Sequence, residues 1–389
     1  MVLRSTRWLA LSYFTYFFCY GIFLPFWGRW LQGEGLSDET IGLLLGAGLV
    51  ARCCGSLAIT AGVGHPSRLI GALRGLALVS LIMAFGFWLG NAWLWLLLVM
   101  IGFNLFFAPL VPLTDALAST WRKQLTMDYG RVRLWGSIAF VIGSAVTGDL
   151  VAVWGHPAIL MVLCVGLLCM LLGMLFRPET APQAAASKAT DLASTPWRQL
   201  LSETAVWRFM LGVTLLQGAH AAYYGFSVIY WQNMGYSASV AGYLWSLGVV
   251  AEIVIFALSH RLFRRWTAQG LLLLSAACGV IRWGLMGATM SLPWLIVIQL
   301  LHCGTFTICH LSAMRFISTR QGSDVLKLQA VYSALAMGGG IALVTLFSGY
   351  LFSHLQGKTF WVMALLAAPV LFFRLPDTAK TKTSLKENH

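Results

Sequence analysis

The chain has 389 residues, of which 59% are apolar and 10% charged, with a mean hydropathy of +0.77. A water-soluble domain carries about 25% charged residues, so this composition excludes a soluble globular protein and requires lipid as solvent over most of its surface. The net charge of +13 would suit nucleic acid, but the basic residues sit in short clusters between long apolar runs. They lack interleaved aromatics or the fold signature of a nucleic-acid binder, which argues against that partner.

The first segment, Met1-Val2-Leu3-Arg4-Ser5-Thr6-Arg7 followed by apolar residues, superficially resembles a signal peptide. It runs too long and has no small-x-small cleavage site, so it reads as the first membrane span. About 20 mostly apolar residues are needed per span. The uncharged interval between Arg74 and Asp115 is too long for one span and turns at Gly90-Asn91. The intervals Arg208 to Glu252 and Arg282 to Arg315 divide in the same way, at Gln232-Asn233-Met234-Gly235 and at Ser291-Leu292-Pro293.

Read throughout in this way, the pattern predicts twelve spans over 8–31, 38–61, 70–90, 92–117, 132–153, 156–176, 206–231, 237–259, 269–290, 292–314, 328–352 and 358–374. All are helices, because lipid offers no partner to open backbone groups. Alternate connections hold 22 of the 26 Lys and Arg residues. That bias puts both termini in the cytoplasm and requires an even number of spans.

The stretch 178–203, rich in Ala, Ser, Thr and Pro, reads as a flexible cytoplasmic linker. It divides the chain into an N-terminal six-helix bundle (1–177) and a C-terminal one (204–375), followed by a tail (376–389). Basic loops follow the second and fourth helix of each half, which suggests two parallel six-helix repeats with a solute site at the midplane between them. The expected fold class is an all-α membrane protein.

A charge in mid-span costs about 2.5–3.5 kcal/mol on insertion scales, so it invites a functional reading. Arg52 lies in span two, Glu252 in span eight and Arg282 in span nine; Asp115 closes span four and Arg133 opens span five. The alternative for each is a structural ion pair or a snorkelling side chain, which is an equal competitor for Asp115 and Arg133 near helix ends. His220 sits one turn from Tyr223 and Tyr224, with Gln217 three residues earlier. His302, Thr305, Cys309 and His310 share part of a face of span ten. Histidine suits proton traffic near neutral pH, although a hydrogen-bonded packing role is the common alternative. Gly42, Gly46, Gly136, Gly143 and the run Gly338-Gly339-Gly340 allow close helix approach.

Eight cysteines fall inside apolar segments without CxxC or metal-ligand spacing, and read as packing residues. No nucleophile–base spacing, metal cluster or extramembrane domain is visible. An enzyme is therefore not expected, and neither are a catalytic residue, a metal or a cofactor.

The segment Asp128-Tyr129-Gly130-Arg131-Val132-Arg133-Leu134-Trp135-Gly136-Ser137 resembles the start of the fifth helix in the major facilitator superfamily, in the branch of lactose permease and nucleoside–proton symporters. The resemblance places Asp115, eighteen residues before Arg133, where lactose permease has an acidic partner that binds sugar with that arginine. It places Glu252, Arg282 and His302 at the buried Glu, Arg and His of the proton-coupling cluster. The runs 41–52 and 217–226 look closest to the bacterial 3-phenylpropionate permeases.

Two departures stand out. The loop Ala61-Gly62-Val63-Gly64-His65-Pro66-Ser67-Arg68 lacks the superfamily's acidic residue. Thr305 occupies the position of the proton-carrying carboxylate, so Glu252 or Asp115, helped by His302, would have to hold a proton instead.

Counting polar groups points to an aromatic acid. Each sugar hydroxyl left unpaired costs about 1–3 kcal/mol, and the spans offer few amides and carboxylates. They offer two buried arginines and the aromatic sets Tyr13, Tyr16, Phe17, Tyr20 and Tyr223, Tyr224, Phe226, Tyr230. The alternative for these aromatics is a lipid-facing or interfacial belt position, which is the favoured reading for the more peripheral ones such as Tyr230. Arginine binds a carboxylate bidentately and aromatic faces accept a phenyl ring.

The expectation is a monomeric transporter in the bacterial inner membrane that couples uptake of a small aromatic carboxylate to protons by alternating access. Arg52, Asp115, Arg133, His220, Tyr223, Tyr224 and Arg282 would bind the solute, and Glu252, Arg282 and His302 would couple the proton. A nucleoside or oligosaccharide proton symporter is the alternative. A passive channel fits two-fold repeats with buried charges less well.

Overall fold

The structure, a computed structural model, describes residues 2–183 and 195–374. The middle of the expected linker, with Lys188, and the tail from 375 onward, with Lys380, Lys382 and Lys386, lie outside the described residues.

The first half comprises α1 (Ser5–Gly33), α2 (Asp38–Gly62), α3 (Leu69–Gly86), α4 (Trp93–Phe107, continued by Leu110–Gln124), α5 (Tyr129–Trp154) and α6 (Pro157–Leu175). After a short helix at Trp197–Ser202, the second half begins with α7 (Thr204–Gly218, continued by Ala221–Asn233), α8 (Ala238–Leu262) and α9 (Ala268–Ala288). Next comes α10, in the pieces Leu292–Leu300, His302–Thr305 and Thr307–Ile317. The last two are α11 (Ser323–Ala334 and Gly340–Leu355 around a π turn, Leu335–Gly339) and α12 (Thr359–Ala367, ending in a 3-10 turn).

Ten continuous helical stretches are long and apolar enough to cross a membrane. The interruption of α7 at Ala219–His220 hides one more from that count, and the reversal at Gln356–Lys358 splits residues 324–372 into α11 and α12. The described residues thus form twelve rods in two six-helix repeats, and the chain is a multi-pass membrane protein.

The repeat is visible in the numbering itself. α2 and α8 occupy Asp38–Gly62 and Ala238–Leu262, an offset of 200. Gly35 and Gly235 both take positive φ (87° and 91°) and end the preceding helix. Ser37 and Ser237 both cap the next one, accepting from Thr40 N and Val240 N. The same offset brings Gly42 onto Gly242, Gly48 onto Gly248 and Arg52 onto Glu252.

The halves meet where α2 packs on α11, α5 on α8, and α1 on the second segment of α7. A Cβ on Gly42 would stand 2.6 Å from Gly349 N, and one on Gly148 2.6 Å from Ala238 O, so these crossings need glycine for backbone contact. Ser144 Oγ donates to Gly242 O (3.2 Å) and Ser246 Oγ to Val141 O (3.0 Å). Tyr243 OH reaches both Asp149 oxygens at 2.9 Å. These contacts lie toward the end away from the basic loops, and the first segment of α7 packs on its own half.

The basic loops also stitch each half internally. Arg74 Nε donates to Met174 O (2.8 Å) and Nη2 to Phe176 O (3.1 Å), meeting the negative C-terminal end of α6. Beside it, strand β1 (Val2–Leu3) pairs in parallel with β2 (Arg177–Pro178). In the second half Arg315 does the same for α8, donating to Phe263 O (2.8 Å) and Trp266 O. Thr195, at the far end of the linker, gives Asp324 its hydroxyl (2.6 Å) and its amide N–H (3.2 Å).

Three sequence expectations change. The fourth helix runs to Gln124 because Trp121 packs edge-on against Trp8 (6.0 Å, 86°), so Asp115 lies inside the helix instead of closing it. The third ends at Gly86 and is followed by a turn. Tyr230 packs in the interior between Phe352 and Phe360 and is no interfacial belt residue.

Candidate functional site: a divided polar centre

In the first half, mid-helix Arg52 projects toward α1. Its guanidinium lies 4.7 Å above the Tyr20 ring, and Nη2 donates to Tyr16 OH over 3.4 Å. Tyr16 is itself stacked on Phe107 (4.6 Å) and Tyr20 meets Phe140 edge to face (6.0 Å). Arg52 is half-buried and forms no ion pair among the described residues. One long hydrogen bond and one ring face leave most of its five donors open.

Nearer the basic end, Tyr13 OH donates to Asp115 Oδ1 at 2.5 Å and Tyr129 OH to the same oxygen at 3.1 Å. The Arg133 guanidinium rests on the rings of Phe17 (4.2 Å) and Tyr13 (5.1 Å). Asp115 and Arg133 therefore flank one tyrosine and form no ion pair with each other. They stand apart from the second-half residues grouped with them in sequence.

The second half holds the denser cluster, built where α7 and α10 break. Opening α7 after Gly218 and α10 around His302–Thr305 brings His220, Gln299, His302 and Thr305 to one level, against Arg282 of α9 and Glu252 of α8. Discontinuous helices of this kind line solute sites in transporters. His302 Nε2 lies 2.6 Å from Glu252 Oε1. A Cβ on Gly248 would come within 3.3 Å of the His302 ring, so the glycine gives that ring its place.

Arg282 is fully enclosed. Nε donates to Ile298 O (3.1 Å) and Nη1 to Thr305 Oγ1 (2.9 Å), with the rings of Trp283 at 4.3 Å and Tyr223 at 4.5 Å. Tyr223 OH donates to Gln299 Oε1 at 2.8 Å while its ring stacks on Trp245 at 4.4 Å. Tyr224, half-buried, stacks with His220 (5.5 Å). Glu252 thus pairs with His302 and not with Arg282.

Four buried side chains here are short of partners: Arg282 at Nη2, Gln299 at Nε2, His302 at Nδ1 and Gln217 at both amide atoms. An unpaired buried donor or acceptor costs about 1–3 kcal/mol, so this group departs from the usual pairing of buried polar atoms.

Sequence reading did not single out Gln299, Trp245 or Trp283. A lone amide in the apolar run 292–301 was the available signal for Gln299; two tryptophans among the chain's 17 offered none. Among the described residues no trio of His, Cys, Asp or Glu could hold a metal ion.

Similar proteins share this architecture. A probable 3-phenylpropionic acid transporter of Escherichia coli (strain K12) is 64% identical over 374 residues, 96% of this chain and 98% of that one. The maltose permease of Geobacillus stearothermophilus is 26% identical over 89% of this chain and 87% of its own length. The crystal structure of the nucleoside transporter NupG superposes with a TM-score of 0.78 at 15% identity, covering 95% of this chain and 98% of that one, a likeness of fold. The family described as MFS_1 like matches residues 6–363. With nearly all of its helices inside that match, this chain belongs to the MFS_1 like family of major-facilitator transporters.

Proposed function

We propose that the protein imports a small aromatic carboxylate such as 3-phenylpropionate together with at least one proton, by alternating access, as a monomer in the bacterial inner membrane. The observation that carries the reading is Arg52, a mid-membrane cation with open donors set against the Tyr16 and Tyr20 rings. A carboxylate would take the guanidinium and a phenyl group the aromatic faces. Arg282 Nη2 offers a second donor in the other half once Tyr223 and Trp283 move. The relative of 64% identity, named for a phenylpropionate, supports the same solute class.

The short contact between Glu252 and His302 supports proton coupling, since a carboxylate and an imidazole at 2.6 Å share one proton between them. An inside-negative potential opposes entry of an anion by about 2.3 kcal/mol per charge per 100 mV, and a co-transported proton removes that penalty. The gathering of basic residues on the linker side supports cytoplasmic termini, with α2–α11 and α5–α8 closing the periplasmic end.

Uptake of labelled 3-phenylpropionate into proteoliposomes, with and without an imposed pH gradient, tests the reading. Accumulation should follow the gradient and resist competition by nucleosides and disaccharides. Uptake indifferent to the gradient rejects coupling, and efficient competition by a nucleoside or sugar rejects the solute class.

A further inference from the structure

We infer that Thr305 and His220 are positioning residues that fix the guanidinium of Arg282, and that neither touches the solute. The inference rests on the reading of Arg282 as a carboxylate donor.

The hydrogen bonds can be followed proton by proton. The Leu216 carbonyl only accepts, so His220 Nδ1, 3.0 Å away, carries the ring proton. In the neutral ring Nε2 is then the acceptor, and the Thr305 hydroxyl at 3.0 Å is its donor. The alternative acceptor for that hydroxyl, His302 O at 3.1 Å, is given up. With its proton committed to His220, Thr305 Oγ1 turns a lone pair toward Arg282 Nη1 at 2.9 Å. Ile298 O holds Nε at 3.1 Å. Two of the three guanidinium nitrogens are thus tied, and the Tyr223 and Trp283 rings fix the plane. Nη2 is left without a hydrogen-bond partner inside the enclosure.

His220 has no polar atom to spare and no exposed surface. It acts on Arg282 through Thr305. A hydroxyl is suited to this task in a way that a carboxylate is not, because it holds the guanidinium without cancelling its charge. The full positive charge of Arg282 stays available to an anion.

KM and Vmax for labelled 3-phenylpropionate uptake in proteoliposomes, with thermal stability read on the same preparations, test the inference. Thr305→Ser should keep KM near the wild-type value. Thr305→Val and His220→Phe should each raise KM about tenfold, and the double variant should add little to either, because both act through one chain of bonds. Thr305→Asp, which would neutralise the arginine, should raise KM further.

A wild-type KM in Thr305→Val or His220→Phe overturns the inference. So does a Thr305→Ser as impaired as Thr305→Val, since the hydroxyl would then not matter. Should Thr305→Val fail to fold, His220→Phe and Thr305→Ser decide. Arg282→Gln separates the two readings: a wild-type KM there removes Arg282 from the site altogether, whereas a raised KM beside a normal Thr305→Val removes only the positioning role.

Discussion

His302 Nε2 stands 2.6 Å from Glu252 Oε1, joining α10 to α8 within one half of the protein. The contact exists because α10 gives up regular helix around His302 and because Gly248 leaves room for the ring. Arg282, the third member of the cluster that the resemblance implies, makes its bonds elsewhere.

If this pair holds the transported proton, Glu252→Gln separates solute movement from proton movement. The amide keeps a hydrogen bond to His302 but cannot lose or gain a proton. Gradient-driven accumulation should fall at least about tenfold while solute counterflow persists, since exchange needs no net protonation change. A Glu252→Gln protein that concentrates solute like the wild type excludes Glu252 as the carrier.

Arg52 gives a second expectation. Removing its charge with Arg52→Gln costs a charge-assisted interaction of about 1.5–3 kcal/mol, a rise in KM of roughly ten- to a hundredfold. Arg52→Lys should recover only part of that, because an ammonium has neither the planar fork nor the flat face that stacks on Tyr20. Initial-rate uptake across a range of solute concentrations measures both. Equal KM values for Gln, Lys and wild type remove Arg52 from the site.

A third expectation concerns the end where the halves join. In Gly148→Val the added side chain meets the α8 backbone at Ala238 O. Overpacking of this kind costs about 1–3 kcal/mol and weighs against the joined arrangement alone. A Ser144→Cys reporter, at a position buried in the joined state, should react several-fold faster with an impermeant maleimide when Gly148→Val is present. An unchanged labelling rate means that this crossing does not govern access.

Much of the architecture can be read in the sequence because lipid enforces it. Runs without charge from Arg74 to Asp115 or Arg208 to Glu252 have no soluble alternative, and their lengths fix the number of passes. The mid-span charges at 52, 252 and 282 are legible for the same reason. Their partners are not. Whether Glu252 faces Arg282 or His302 depends on where α10 unwinds, and no proline marks that break, as Pro109 marks the one in α4. The interruption of α7 at Ala219–His220 is equally silent, following only Gly218. The triple glycine 338–340 reads as a packing surface, yet it also carries the end of a π turn set against Cys53, because glycine tolerates the wider winding. The resemblance implies Asp115 and Arg133 as a pair, and the Tyr13 ring that stands between them is what no resemblance could show.

The offset of 200 that superposes α2 on α8 also sets a cation in one copy where the other carries an acid. The molecule is therefore two-fold in outline but polar in charge, like a clasp with one magnetised jaw. If the guest is the anion proposed above, Arg52 attracts it and Glu252 repels it until that acid takes up a proton.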